Sequence, residues 1–210
     1  MADFAGMSAA LQKGKAQEVA RLVNEAIAEG IAPDKILQEG LISGMNIIAV
    51  KFRANEVFVP EVLIAARAMK AGMEPLAPVL TQCGIEPIGK VLVGTVKGDL
   101  HDIGKNLVIM MLKGAGFFVE DMGIDQSPEN FVAKVKEKGY TLVGVSALLT
   151  TTMPALKSVI DKFNSEGLRD KVKIAVGGAP VTAEYAKEIG ADGYADDAAS
   201  AIDVFKGFLN

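Results

Sequence analysis

Residues 91–106 read Val-Leu-Val-Gly-Thr-Val-Lys-Gly-Asp-Leu-His-Asp-Ile-Gly-Lys-Asn. An apolar run of strand length is followed by a loop with a glycine and charges, and Ile103 opens a helical stripe, so the stretch reads as the first half of a βα unit. The loop carries His101, the only histidine of the 210 residues, with Asp99 two positions before it and Gly104 three after it. Parallel sheets place ligands beyond the carboxyl ends of their strands. Asp-x-His-x-x-Gly therefore stands at a binding position.

Toward the C-terminus the same alternation repeats. Strands are expected at Lys90–Val96, Phe117–Glu120, Leu142–Ser146, Val172–Val176 and, weakly, Gly193–Tyr194. Helices are expected at Ile103–Gly114, Pro128–Lys138, Met153–Glu166, Ala183–Ile189 and Ala198–Phe208. Near-continuous apolar strands joined by helices imply an α/β doubly wound parallel five-stranded sheet, covered on both faces, with strand order 2-1-3-4-5. That order puts the ligand crevice between the first and third strands, under the loops after Val96 and Val145. The second of these loops is Ser146-Ala147-Leu148-Leu149-Thr150-Thr151-Thr152, and the fourth strand ends in Gly177-Gly178.

Before residue 83 the pattern is helical. Leu11, Val19, Leu22, Val23, Ala26 and Ile27 recur at threes and fours. A second stripe runs from Ile36 to Ala49 and a third from Pro60 to Met73, with Gly30 and Pro33 as punctuation. A break near Gly14 makes four helices, an all-α four-helix bundle over residues 1–82. Residues 83–89 (Cys-Gly-Ile-Glu-Pro-Ile-Gly) read as a linker, and 90–210 as the α/β domain. Phe52, Phe58 and Val59 fall in or beside a loop; such apolar residues either tuck into the bundle or cover a large flat ligand.

Composition narrows the classes. A formal charge of -4 without a dense Lys/Arg run argues against nucleic acid as a partner. The first residues lack a secretory pattern, and no apolar run approaches the ~20 residues of a membrane span. A cytoplasmic protein is expected. One cysteine, Cys83, and one histidine leave too few ligands for a typical zinc site, so a transition metal would have to arrive mostly pre-coordinated.

Alone, Asp-x-His-x-x-Gly is a weak signal, because a lone loop histidine is most often a surface or helix-capping residue, with Asp102 capping the helix and Gly104 packing. Hydroxyls after the third strand and two glycines after the fourth make coincidence harder. Together, Asp99-Leu100-His101-Asp102-Ile103-Gly104, Ser146-Ala147-Leu148 and Gly177-Gly178 closely resemble the signature of the cobalamin-binding domain shared by methionine synthase and the corrinoid proteins of anaerobic methyltransferase systems. The helical half, with Phe58–Leu63 (F-V-P-E-V-L) and Ala66–Lys70 (A-R-A-M-K), resembles the cap domain of the same proteins, so the likeness covers nearly the whole chain.

The resemblance implies a cobalamin or related corrinoid bound base-off, with His101 as the axial cobalt ligand in place of the dimethylbenzimidazole base. Asp99 would orient the imidazole, and Thr152 stands where methionine synthase has the serine that completes the relay. The displaced nucleotide tail would run along Gly94, Gly104, Ser146, Thr150, Gly177 and Gly178, with Asp102 and Leu148 also among the cofactor-binding residues. Phe52, Val59 and Val62 match the residues that shield the methyl group.

The implied function is a methyl-carrier subunit, not an autonomous enzyme. A substrate-specific methyltransferase would deliver a methyl group from methanol, a methylamine, a betaine or a methoxylated aromatic, and a second would pass it to tetrahydrofolate or coenzyme M. A reductive activator is compatible with this scheme. A cobalamin-dependent sensor would share both domains but needs a DNA-reading module, and no basic recognition helix is visible. A response regulator should have an aspartate where Ser146 stands, and a flavodoxin-like carrier needs a phosphate loop where Val-Lys-Gly-Asp-Leu-His stands.

Overall fold

The structure, a computed structural model, describes residues 2–210. Contacts divide it into two units, one running to Ile88 and including Lys113–Gly116, the other comprising Gly89–Leu112 and Phe117–Asn210.

The helical unit begins with α1 (Phe4–Gln12) and α2 (Ala16–Ala28), separated at the expected break by Lys13–Lys15. Asp3 starts α1 by accepting from the Gly6 N–H at 2.8 Å. After Pro33, α3 (Pro33–Lys35) continues through a π-helical stretch, Ile36–Ile42, into α4 (Ser43–Arg53), and α5 (Val59–Gln82) follows. Glu61 takes the Phe58 N–H at 3.0 Å at the start of α5, where Pro60 occupies the first turn. Gly72 lets α5 approach α2 and the π-helical stretch: a Cβ there would stand 2.9 Å from both Val19 Cγ1 and Leu41 Cδ2. Val19, Val23, Leu41, Met45, Ile48, Ala65 and Leu76 form the apolar interior. Among the described residues, no helix is long and apolar enough to cross a membrane.

The second unit is a five-stranded parallel sheet of order β2-β1-β3-β4-β5, as the sequence pattern implies. Its strands are β1 (Lys90–Thr95), β2 (Phe118–Asp121), β3 (Leu142–Ser146), β4 (Lys173–Gly177) and β5 (Gly193–Ala195). Its helices are α6 (Ile103–Gly114), α7 (Pro128–Lys138), α8 (Met153–Ser165), α9 (Ala183–Glu188) and α10 (Ser200–Gly207), with a 3-10 turn at Arg169–Lys171. Leu92, Val143, Val145, Ile174 and Val176 join Phe131, Leu156, Val159 and Phe163 in one buried cluster. On the other face Phe205 of α10 lies over Gly144 beside Val93. Burial of both faces explains why the strands read as apolar runs and not as alternating patterns.

Register decides what the strand ends share. Thr95 of β1 pairs with Ser146 of β3, and Ser146 with Gly177 of β4. The hydrogen-bond ladder continues past the strands, with Val96 N donating to Ser146 O at 3.0 Å and Ala147 N to Gly177 O at 3.1 Å. Three motifs separated by dozens of residues thus leave the sheet from one row.

Candidate cofactor site

The loop after β1 is built around a buried carboxylate. Asp99 is fully buried, and both oxygens are engaged. Oδ1 accepts from the His101 backbone N–H at 3.0 Å and meets His101 Nδ1 at 2.7 Å, while Oδ2 accepts from Leu148 N–H at 2.6 Å and from Thr152 Oγ1 at 2.8 Å. Thr152 Oγ1 also lies 2.9 Å from Leu149 O. A hydroxyl has one proton, and the carboxylate is the stronger acceptor, so the proton belongs to the bond with Asp99. Burial by itself would raise the Asp99 pKa. The bonds from Leu148 N–H, the His101 backbone and ring and the Thr152 hydroxyl overcome that and hold it well below the usual carboxylate range.

An ionised Asp99 cannot donate. The 2.7 Å contact therefore requires a proton on Nδ1 of His101, which leaves Nε2 as the ring nitrogen with a free lone pair in the neutral imidazole. The His101 side chain is 49% exposed although its partner carboxylate is sealed from solvent. Such an imidazole is oriented from one edge and open at the other.

Exposed aliphatic side chains flank it in the two loops, alongside the exposed Asp102 and Thr150. Leu100 and Ile103 are 68% and 77% exposed, and Leu148 and Leu149 are exposed as well. Four large aliphatic side chains at one loop cluster form the kind of patch that a ligand or partner covers. Gly104, in the first turn of α6, is exposed, and a Cβ there would meet nothing within 4 Å. Packing does not explain a glycine in a position where alanine favours the helix; a large ligand lying against the turn would.

The other glycines differ. Gly94 is buried, and a Cβ would come within 2.8 Å of Phe131 Cζ, so internal packing already demands its small size. Gly178 has φ +125°, and its Cβ would fall 1.9 Å from Ala147 O, where the β3 and β4 loops meet backbone to backbone. At Gly177 a Cβ would stand 2.7 Å from Ala195 O.

Of the residues singled out from the sequence, Asp99, His101, Thr152 and Leu148 are joined directly. Ser146 joins through Thr95, whose Oγ1 lies 3.0 Å from Ser146 Oγ and donates to His101 O at 3.1 Å. Asp102 Oδ2 accepts from Asn106 Nδ2 at 3.0 Å beside the start of α6. Thr150 is exposed on the β3 loop. Phe52 in the last turn of α4, Val59 at the start of α5 and Val62 one turn on belong to the helical unit; the first two are half-buried and Val62 is buried. Two contributors were not read from the sequence. Thr95 ends β1 with the same kind of hydroxyl that drew attention to β3, and that was its available signal. Asp125, in the left-handed region at φ 53°, accepts from Gly98 N–H at 2.7 Å and donates its own N–H to Asp99 O at 3.1 Å. No sequence spacing announces that clamp.

Among the described residues, no group of three or more His, Cys, Asp or Glu could hold a metal ion. The site offers one imidazole nitrogen, an apolar rim and an open glycine. That donor set fits a metal already held in a large, flat, largely apolar chelator, for which a single protein ligand completes the coordination.

Models of the B12 binding domain match residues 89–203 and residues 4–76. The chain belongs to the B12-binding corrinoid proteins. The dimethylamine corrinoid protein of Methanosarcina barkeri is 44% identical over 189 residues, 90% of this chain and 88% of that one. A corrinoid protein of Desulfitobacterium hafniense (strain Y51) is 40% identical over 93% of this chain and 92% of its own length. The solved methanol:cobalamin methyltransferase complex of Methanosarcina barkeri contains a chain that superposes on this one with TM-score 0.87 at 28% identity, covering 98% of this chain and 79% of that one. The two halves of this corrinoid protein thus fall under B12-binding models separately, and the relatives span both.

Proposed function

We propose that this corrinoid protein is a methyl-carrying subunit that works between two methyltransferases, with His101 Nε2 as the axial ligand of a base-off corrinoid. The observation that carries the reading is the Asp99–His101 pair: a buried, ionised carboxylate fixes the Nδ1–H tautomer of the protein's single imidazole and presents Nε2 within an apolar rim. When bound, the corrinoid supplies a cobalt that accepts a methyl group and gives it up again.

The protein's own residues perform the remaining tasks. Asp99 orients the ring and, through Nδ1–H, raises the donor strength of Nε2. Thr152 and the Leu148 N–H keep that carboxylate charged and still. Leu100, Ile103, Leu148 and Leu149 supply apolar surface for a macrocycle, and Gly104 leaves room beside the α6 turn. Gly177, Gly178, Ser146 and Thr150 border the crevice assigned to the nucleotide tail. In this reading residues up to 82 form the cap, 83–89 the linker and 90–210 the cofactor domain. Phe52 and Val59 of the cap, both half-buried, shield the methyl group from water and give way to each partner, whereas Val62 has no exposed surface and supports the cap from inside.

The partners are a substrate-specific methyltransferase, a second methyltransferase acting on tetrahydrofolate or coenzyme M, and a reductive activator. Similarity to a dimethylamine corrinoid protein puts a methylamine ahead of methanol, a betaine or a methoxylated aromatic as the donor.

The test is direct. Apoprotein is incubated with hydroxocobalamin, desalted, and its visible spectrum recorded beside that of His101→Ala. Retained corrinoid with a base-off, histidine-ligated spectrum that the substitution abolishes supports the reading. Failure of the wild-type protein to retain corrinoid overturns it, as does an unchanged spectrum in the variant.

A further inference from the structure

We propose that Thr95 is a positioning residue for His101, held in its donating orientation by Ser146. This rests on the reading of His101 as the axial ligand. The argument is a count of protons. The carbonyl of His101 can only accept, so the 3.1 Å bond commits the single Thr95 hydroxyl proton to it. The 3.0 Å contact between Thr95 Oγ1 and Ser146 Oγ must then use the Ser146 proton. The chain has one polarity: Ser146 O–H donates to Thr95 O–H, which donates to O=C of His101.

Position makes that chain consequential. Thr95 is 1% exposed, and its register partner in the sheet is Ser146, so the anchoring hydroxyl is fixed by two strands and not by a loop. His101 itself lies six residues further on, outside regular structure. Asp99 grips its N–H and ring from one side, and Thr95 grips its carbonyl from the other. With both backbone polar groups held, the ring keeps two main freedoms, χ1 and χ2, and the Asp99 bond restricts them. A ligand to a pre-chelated metal needs that restriction, because a swinging imidazole loses more freedom on ligation.

The polarity also bears on the crevice. The Ser146 proton is already committed inward, so Ser146 faces an incoming group as an acceptor. A ligand that draws the proton outward leaves Thr95 and Ser146 as two oxygens at 3.0 Å sharing the one Thr95 proton, in competition with His101 O. Occupancy near Ser146 is thereby coupled to the hold on His101.

The experiment compares Thr95→Val, which keeps the shape and removes the hydroxyl, with Thr95→Ser, which keeps the hydroxyl. Two readouts are taken on the full chain at one fixed pH. The first is the imidazole ring signal in the apoprotein by NMR, unambiguous because His101 is the only histidine. The second is hydroxocobalamin affinity together with the histidine-ligated fraction of the spectrum. In Thr95→Val the ring signal is expected to shift and broaden and affinity to fall roughly three- to tenfold, the equivalent of one neutral hydrogen bond; Thr95→Ser is expected to match wild type. A folded Thr95→Val with wild-type ring signal and affinity overturns the proposal, and so does a Thr95→Ser variant impaired as badly as Thr95→Val. Should Thr95→Val fail to fold, Thr95→Cys, a weak donor of similar size, takes its place with an intermediate effect expected and the same refuting results. A ring signal that responds to Thr95 while wild-type protein shows no histidine-ligated spectrum would uphold the positioning role and overturn the axial-ligand reading.

Discussion

Asp99→Asn keeps the size of the buried side chain and removes only its charge and one acceptor, yet no orientation of the amide satisfies its surroundings. On the Oδ1 side stands the His101 backbone N–H, and on the Oδ2 side the Leu148 backbone N–H. The Thr152 hydroxyl could turn, and the His101 ring could change tautomer, but a backbone N–H can do neither. Whichever way the amide is flipped, its NH2 faces a fixed donor. The variant therefore loses at least one charge-assisted bond outright and weakens the others to neutral strength. At ~1.5–3 kcal/mol for a bond to a charged group, with a buried donor left unpaired, a loss of about 3–5 kcal/mol is expected. That is a large share of a typical domain's ~5–15 kcal/mol.

The measurement is urea unfolding of the apoprotein followed by tyrosine emission. All three tyrosines, Tyr140, Tyr185 and Tyr194, lie in the α/β unit and there is no tryptophan, so the signal reports that unit alone. The pH dependence carries a sign. The Asp99 pKa is lowered in the folded state, so its contribution is complete above the ordinary value of 3.8 and is lost as pH falls below it toward the native value. The gap between wild type and Asp99→Asn should narrow as pH falls below about 4. A gap under about 1 kcal/mol at pH 7 would refute the account, because it falls below a single charge-assisted bond.

Two glycines should respond in opposite ways. Gly104→Ala, with no atom within 4 Å of the new methyl, is expected to leave the apoprotein as stable as wild type or up to ~1 kcal/mol more so, while corrinoid affinity falls; unaltered affinity in a spectroscopic titration would remove Gly104 from the site. Gly178→Ala forces a side chain into φ +125° with its Cβ 1.9 Å from Ala147 O, and is expected to cost more than ~3 kcal/mol; a urea midpoint close to wild type would show that the β3 and β4 loops can separate freely.

Much of this was legible in the chain because strands buried on both faces must be apolar throughout. Leu142–Ser146 needs no adjustment, and α6 and α7 span the residues expected for them, Ile103–Gly114 and Pro128–Lys138. The motifs at three strand ends could be assembled because the 2-1-3-4-5 order puts β1, β3 and β4 side by side. The π-helical stretch at Ile36–Ile42 was hidden, since moving backbone bonds by one residue barely alters the spacing of Ile36, Leu41 and Ile42, which are buried either way. Thr95 was hidden for another reason: a threonine ending a strand is ordinary, and it gains its task only from a register partner 51 residues away. The Asp125 clamp depends on the β2 loop returning to the β1 loop, which no local pattern encodes.

The division of labour at Asp99 would let one carboxylate serve both structure and the ligation proposed for His101. Three of its four bonds do not involve the imidazole ring: the backbone N–H of His101, the backbone N–H of Leu148 and the hydroxyl of Thr152. The first ties the loop after β1 to itself, the other two join it to the loop after β3, and all three favour the ionised carboxylate independently of the ring. The fourth, to Nδ1, alone reports on the ring. An imidazole that moves away from a metal therefore leaves the stapled loops intact, and returns to a carboxylate still charged and still aimed. Under the ligation proposed for His101, a relay anchored only through the ring would have to be rebuilt at every cycle, whereas this arrangement would expose a single bond to the chemistry.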